Sequence, residues 1–450
     1  MIDCHCAILK GDRSSQGKVP GTAMSPVRAI GGCVTGLLVA LGCLLAGCEA
    51  EVESSQAQLP YAAEFPAVGY ATNAPRGRAG QLAERLESGD ALLTHRGESG
   101  YLESLLQALE IDPSSQALVF SRTSLQVGQI GPATPRAIYF NDDSYVARVP
   151  GAGTLEIASY DPALGPVFFT LPQDADTEPV MQRELGRCLR CHDTYSLTGG
   201  GVPRFLLGSG YTGEDGELVS HEAWILTSQA TPLRSRWGGW YVTGRHGDQV
   251  HLGNIVVQRP EDLQDLDALR VGNLDDLSGL LDTSGYLTPF SDIVALMVLE
   301  HQIEVQNLIS RLRFESVGME PGAMSDELAE PVEALVRAMF MLDAIDLTAP
   351  IIGSSGFAEQ FERRGPFDAA GRSLRQLDLQ SRLFRYPLSY LIYSDAFSAL
   401  PEFARSAVFA RVGEILAGDP GDDGFSSLTL ADRQAIGEIL AQTLPEFRAQ

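Results

Sequence analysis

Between residues 116 and 171 apolar and polar positions alternate in short runs, and Gly, Pro, Asn and Asp separate one run from the next. Period-two alternation in β-branched and aromatic residues, bounded by turn formers, predicts strands. They are expected at 116–121, 136–141, 144–149, 154–159 and 167–171, with further strand-like runs at 218–227, 238–243 and 249–258. Two helical stretches precede them, at 78–89 and 99–110, and residues 179–192 read as a third, ended by Gly199, Gly200 and Gly201. Beyond residue 289 the apolar period lengthens to that of a helix, which predicts helices at 292–314, 326–343, 374–392, 401–416 and 430–444. The pattern implies an α+β protein with a β-rich N-terminal half followed by an all-helical C-terminal half.

Before residue 78 the pattern changes in kind. No charge occurs from Ala29 to Cys48, the segment 37–45 is strongly apolar, and Arg28 stands just ahead of it. A basic flank, a short apolar stretch and small residues at its end form a secretory signal. Leu45-Ala46-Gly47-Cys48 resembles a bacterial lipobox, in which Cys48 would be lipidated and become the new N-terminus. An uncleaved anchor of about 20 residues is the rival reading; Gly31, Gly32, Gly36, Gly42 and Gly47 weaken it. Met24 to Cys48 alone has the proportions of a signal, so Met24 competes with Met1 as the start. Residues 49–77, rich in Ala, Pro, Glu and Ser, read as a tether. The expected organisation is an extension and signal over 1–47, a flexible tether over 48–77, a β-rich region over 78–290 and a helical region over 291–450. The expected location is the cell envelope, lipid-anchored, on the periplasmic or outer-membrane face.

A net charge of −25 over 450 residues argues against nucleic acid, which needs clustered cations to neutralise phosphates. Lysine occurs only at Lys10 and Lys18, so no lysine beyond them can ligate a metal. Of seven cysteines, Cys4, Cys6, Cys33 and Cys43 precede the cleavage point. Cleavage and lipidation of Cys48 would leave Cys188 and Cys191 as the only thiols.

Those two lie in Cys188-Leu189-Arg190-Cys191-His192, a C-x-x-C-H of the spacing that attaches c-type haem. Thiols three residues apart can add to two vinyl groups on one porphyrin edge, and the adjacent histidine reaches the iron from the same side. One such motif implies one covalent haem c, with His192 as proximal ligand. A thioredoxin-like C-x-x-C gives no role to the histidine, and a structural zinc site would need a second ligand pair. Arg183, Arg187, Arg190 and Arg204 lie near the motif and could pair with haem propionates. The run 199–203 is either an ordinary turn or a loop that orients His192 through a carbonyl.

The second axial position separates an electron carrier from an enzyme. His95, His221, His246, His251 and His301 remain, with Met297 the best-placed methionine. Met297 and His301 fall one helical turn apart on a single stripe, which makes either a candidate distal ligand or a core residue. From Arg236 to His251 the chain concentrates two tryptophans, Tyr241, Arg245, His246 and His251. A distal histidine with an arginine is what an oxidase- or peroxidase-like site needs, so Tyr241, Arg245, His246 and His251 are the catalytic candidates. An edge hairpin of packed aromatics is the structural alternative.

The chain resembles a group of bacterial exported proteins that carry a cytochrome c domain. The similarity rests on Pro135–Asp142, the C-x-x-C-H, Arg236–Gly244, Ser291–His301 and Tyr386–Tyr393, and it covers most of the mature chain. It implies haem binding and one integrated unit from about residue 78 to 450, without implying a reaction. The chain does not resemble the di-haem cytochrome c peroxidases, which carry two such motifs. The expected function is electron transfer in the periplasm or envelope, to a redox partner protein or small-molecule donor or acceptor. The alternative is a monohaem oxidase or peroxidase with an open distal site near His246 and His251.

Overall fold

The alternating runs pair in chain order. A six-stranded antiparallel meander forms from β1 Ala117–Val119, β2 Arg136–Phe140, β3 Ser144–Arg148, β4 Thr154–Asp161, β5 Gly165–Pro172 and β6 Gln182–Arg183. The computed structural model describes residues 67–448 apart from 199–201, 221–223, 318, 320–325 and 419–423. The expected signal sequence, Cys48, most of the tether, His221 and the three glycines at 199–201 therefore lie outside the described residues. Those described all belong to one compact unit, Ser55–Gln450.

Period two puts alternate residues on opposite faces of the sheet. In β4, Leu155, Ile157 and Ser159 are buried, whereas Thr154, Glu156 and Ala158 are half-buried. The register sets Glu156 opposite Ala147 and Thr170, Ala158 opposite Tyr145 and Phe168, and Ile138 opposite Ala147. These residues share one face, and that face carries the candidate site. Asp161, fully buried, closes the β4–β5 turn: Oδ1 accepts from the Ala163 and Leu164 amides, both at 2.8 Å. Its other oxygen accepts from the amides of Arg76 (2.5 Å) and Gly77 (2.8 Å), which fixes the start of helix α1 Arg78–Glu87. α1 presents Ala79, Leu82 and Leu86 inward at helical spacing. α2 Leu102–Ala108 follows it.

After the sheet come two short helices, α3 Gly186–His192 and α4 Tyr195–Thr198, then a two-stranded ribbon of β7 Gly208–Ser209 and β8 Ile225–Leu226. The C-terminal half is helical: α5 Ile293–Ser316, α6 Asp326–Met339, α7 Phe357–Glu362, α8 Asp395–Ser398, α9 Glu402–Ala417 and α10 Leu430–Thr443. The protein is thus α+β, with a β-rich N-terminal half and a helical C-terminal half. No helix among the described residues is long and apolar enough to cross a membrane.

α5 joins the two halves. Asp292, fully buried, caps it by accepting from the Val294 and Ala295 amides at 2.7 and 3.2 Å. A polar stripe at i, i+4 and i+8 faces the sheet: Gln302 donates to the Asn141 carbonyl (2.8 Å), Gln306 accepts from Tyr145 Oη (2.6 Å), and Ser310 donates to Tyr160 Oη (3.0 Å). Glu300 forms a buried ion pair with Arg236 at 2.8 Å, and the remaining guanidinium donors reach the Thr231 and Gln229 carbonyls, both at 2.7 Å. Polar groups this deep are tolerated because each side chain makes at least one hydrogen bond.

Three expected elements do not form. The runs at 238–243 and 249–258 are irregular, and within 218–227 only the two residues of β8 pair as a strand. Positive φ at Trp237 (63°), Gly239 (83°), Gly244 (127°) and Asn254 (69°) turns the chain too often for a ladder. Its apolar residues are there because Trp240, Tyr241 and Val242 are enclosed, and isolated bridges tie Val119 to Trp240 and Thr243 to Asp292. Complete burial mimics strand composition. The helix expected at 374–392 is also absent: Leu379 has φ 57° and Pro387 interrupts the pattern. The helical segment at 179–192 shortens to α3, with Gln182 and Arg183 paired in the sheet.

Candidate functional site

Helix α3 is two turns long and anchored by Leu189, which is fully buried. It places Cys188 half-buried against the core and Cys191 exposed, with no disulfide between them. Burial pushes the Cys188 thiol up to about 12, and the Glu184 and Glu156 carboxylates add to the rise. Cys188 is therefore a protonated thiol at neutral pH. Burial pushes His192 down to about 4, only partly opposed by a backbone carbonyl, so its ring is neutral.

That carbonyl sets the tautomer. His192 Nδ1 lies 2.7 Å from the Arg204 oxygen, and a neutral ring facing a carbonyl must carry its proton there. The lone pair is left on Nε2, which makes no hydrogen bond among the described residues. In return the Arg204 amide donates to the His192 carbonyl at 2.8 Å. The acceptor sits one residue past the 199–203 run. Phe205 follows and is clamped by α5: its amide donates to Asn307 Oδ1 and its carbonyl accepts from Asn307 Nδ2, both at 2.9 Å. The His192 ring rests on Phe168 of β5, centroids 4.4 Å apart, and Phe205 packs edge-on to Phe168 at 6.3 Å. Helix, loop, strand and α5 thus hold one imidazole in one orientation.

Arg136 of β2 and Glu156 of β4, paired at 3.2 Å across β3, bear on His192 with opposite signs. Gln126 donates to the second Glu156 oxygen at 3.0 Å. The four arginines near the motif have separate fates. Arg183 bonds the Tyr70 and Asn73 carbonyls, Arg187 pairs with Glu184, and Arg190 is exposed. Arg204 is half-buried, has a buried Nε without a partner, and forms no ion pair among the described residues.

The candidate distal ligands do not gather here. His301, fully buried, uses both ring nitrogens: Nδ1 is 2.9 Å from Gln229 Oε1 and Nε2 is 2.8 Å from Ser389 Oγ. Both positions are thus engaged by protein groups, as in a core histidine. Met297 borders a cavity of about 230 Å³ shared with Gln229, Arg236, Phe340 and Phe384, none of which touches His192. His95 stands edge-on to Tyr101. The four catalytic candidates are dispersed as well. Tyr241 donates to the Pro132 carbonyl at 2.7 Å and packs on Phe120, while Arg245 is exposed and pairs with Asp275 at 2.8 Å. Only His246 and His251 meet, ring centroids 4.7 Å apart, and they share no contact with His192.

Asn307, Arg136 and Glu156 carry no motif and were not among the expected site residues. Their roles come from the fold's bringing distant residues together, Asn307 from 102 positions away from Phe205. Asn307 gives no distinct sequence signal, because the same helix also carries Gln302 and Gln306. No family model, curated protein or solved structure matches this chain.

Proposed function

We propose that this chain is an exported c-type cytochrome, carrying one haem on Cys188 and Cys191 with His192 as iron ligand, and that it transfers electrons in the cell envelope. One observation carries the reading. His192 follows a C-x-x-C, gives its Nδ1 proton to the Arg204 carbonyl and keeps Nε2 without a partner, which is how a metal-ligating histidine is held. The residues fit the group in two further ways. The thiols sit one helical turn apart without a disulfide, so each S–H can add across a vinyl double bond, sulfur bonding to one carbon and hydrogen to the other. The unpaired Arg204 guanidinium beside the motif suits a propionate carboxylate. The haem would supply a one-electron couple. The chain orients the imidazole, fixes its tautomer and shields it against Phe168. The lipobox at Cys48 and the similarity to exported cytochrome c-domain proteins belong with this reading, because thioether attachment takes place outside the bacterial cytoplasm.

A haem enzyme stands as the second reading, on a specific observation. His301, one of the candidate second ligands, has both ring nitrogens hydrogen-bonded to Gln229 and Ser389, which favours an iron without that ligand; His221 lies outside the described residues.

The test is expression of the full chain in a host with c-type maturation machinery, followed by intact-mass measurement. One haem per chain is expected, lost when Cys188→Ser and Cys191→Ser are combined. A bare polypeptide overturns the proposal. The absorption spectrum then separates the two readings: a low-spin iron indifferent to cyanide, carbon monoxide and peroxide marks a carrier, and a high-spin iron that binds them marks an enzyme.

A further inference from the structure

The oxygen that holds the His192 proton belongs to a peptide unit engaged on its opposite edge as well. In the peptide joining Arg204 to Phe205, the carbonyl lies 2.7 Å from His192 Nδ1 and the amide donates to Asn307 Oδ1 at 2.9 Å. This peptide is trans, so it is planar with C=O and N–H pointing in opposite directions. The two hydrogen bonds therefore pull on one plane from its two sides. Asn307 Nδ2 donates to the Phe205 carbonyl, also at 2.9 Å, and holds the next peptide. Residues 203–207 form neither helix nor strand, and Asn307 gives them the pair of bonds that a neighbouring strand would give. The Phe205 ring is held from the same helix: it packs on Tyr145 at 4.8 Å, and Tyr145 donates to Gln306 at 2.6 Å.

We infer that Asn307 is a positioning residue for the iron ligand. Its carboxamide fixes the Arg204–Phe205 peptide plane and, through that plane, the direction and strength of the His192 Nδ1 hydrogen bond. Only the consequence at the iron rests on the haem reading; the relay from Asn307 to His192 is a property of the chain itself. Consecutive hydrogen bonds polarise one another. Donation from the Phe205 amide to Asn307 makes the Arg204 oxygen more negative and a better acceptor. His192 then shares its Nδ1 proton more fully, and Nε2 becomes a stronger donor to a metal. A stronger imidazole donor favours oxidised iron. Removing the carboxamide frees the peptide to turn, weakens the His192 bond and shifts the couple toward the reduced form.

The full chain, made in a host with c-type maturation machinery and with isotopically labelled histidine, is examined by NMR. It is reduced under carbon monoxide, so that the iron is diamagnetic whether its second side is open or closed. Asn307→Leu is expected to move the His192 ring N–H signal upfield and to speed its exchange with water about tenfold. It should also shift the reduction equilibrium about threefold toward the reduced form, which is about 30 mV at 59 mV per tenfold. Asn307→Ser, whose short side chain leaves room for water to meet the stranded Phe205 groups, should act in the same direction and covers a leucine variant that does not fold. Asp292→Ala, which weakens α5 at its start without touching the loop, should leave the ring signal and the potential in place. A ring signal unmoved in both Asn307 variants, a potential unmoved in both, or equal shifts in Asp292→Ala overturns the inference. Intact mass judges the haem reading separately: on a bare polypeptide the ring signal still decides whether Asn307 sets the His192 bond.

Discussion

A histidine's function is set by what its two nitrogens touch, and on that point His301 stands apart from His192 and His246. His301 is bonded at both nitrogens, to Gln229 and Ser389; His192 and His246 are bonded at Nδ1 only, each to a carbonyl. Periodicity places His301 in the core but cannot say whether its partner is a metal or a serine, so the stripe that made it a candidate ligand was uninformative about role. The C-x-x-C-H was legible because its chemistry is local, complete within five residues. The acceptor twelve residues on, and the Asn307 clamp, were not, because they depend on how a loop meets a distant helix. Arg204 offers the sharpest residue-level test. Its guanidinium has no carboxylate partner, and a cation beside a centre that gains an electron favours the reduced form. In the haem-loaded protein, Arg204→Gln should leave attachment intact and lower the midpoint potential by on the order of 60 mV, one tenfold step for a one-electron couple. Spectroelectrochemical titration of both proteins measures it. An unchanged potential would mean that Arg204 does not face the haem.

Among the elements, strands β1 to β5 of the meander and the helices α1, α5, α6, α9 and α10 fall where periodicity put them, because each buries one face or is bounded by turn and cap residues. The stretch 236–258 misled for a physical reason: enclosed on several sides, it needs apolar residues everywhere, and composition then stops distinguishing a strand from an irregular buried chain. α5 depends on its first residue more than an ordinary helix does. Asp292 Oδ1 caps the helix while Oδ2 accepts from the Ser354 and Ser355 amides (2.6 and 2.7 Å) and from Ser355 Oγ (2.9 Å), which binds the loop before α7 to the start of α5. An N-cap alone contributes about 1 kcal/mol, and stranding buried amides adds about 1–3 kcal/mol. Asp292→Ala should therefore cost roughly 2–4 kcal/mol in urea unfolding. Asp292→Asn, which keeps one carbonyl oxygen to accept the cap bonds, should cost less. A loss below about 1 kcal/mol for the alanine variant would show that the second oxygen contributes nothing.

At the scale of the whole molecule, the segments 135–142, 236–244, 291–302 and 386–393 interlock around α5. Thr243 exchanges backbone bonds with Ser291 and Ile293 at 2.7 and 2.9 Å, Gln302 reaches the Asn141 carbonyl, Arg236 pairs with Glu300, and Ser389 meets His301. Sheet and helical region share these buried polar contacts, so neither half has a finished core without the other, and unfolding should be a single event. Its pH dependence can be worked out. Burial pushes His301 down to about 3, against about 6.5 in the unfolded chain. Above that value both states are neutral and the histidine contributes no penalty. As pH falls below it, the unfolded chain takes up the proton first, and stability drops by up to about 1.4 kcal/mol per pH unit until the folded group also protonates. The 58 carboxylates of this acidic chain act in the opposite sense, since protonating them relieves repulsion, but they titrate mostly near pH 4. Between pH 6.5 and 5 the histidine term therefore wins. Melting temperature should fall across that interval for the unsubstituted protein and fall less for His301→Gln, whose amide can still meet Gln229 and Ser389. Equal falls in the two proteins would show that His301 gains a proton in the folded state as readily as in the unfolded one, and that the core joining the two halves is wetter than its geometry implies.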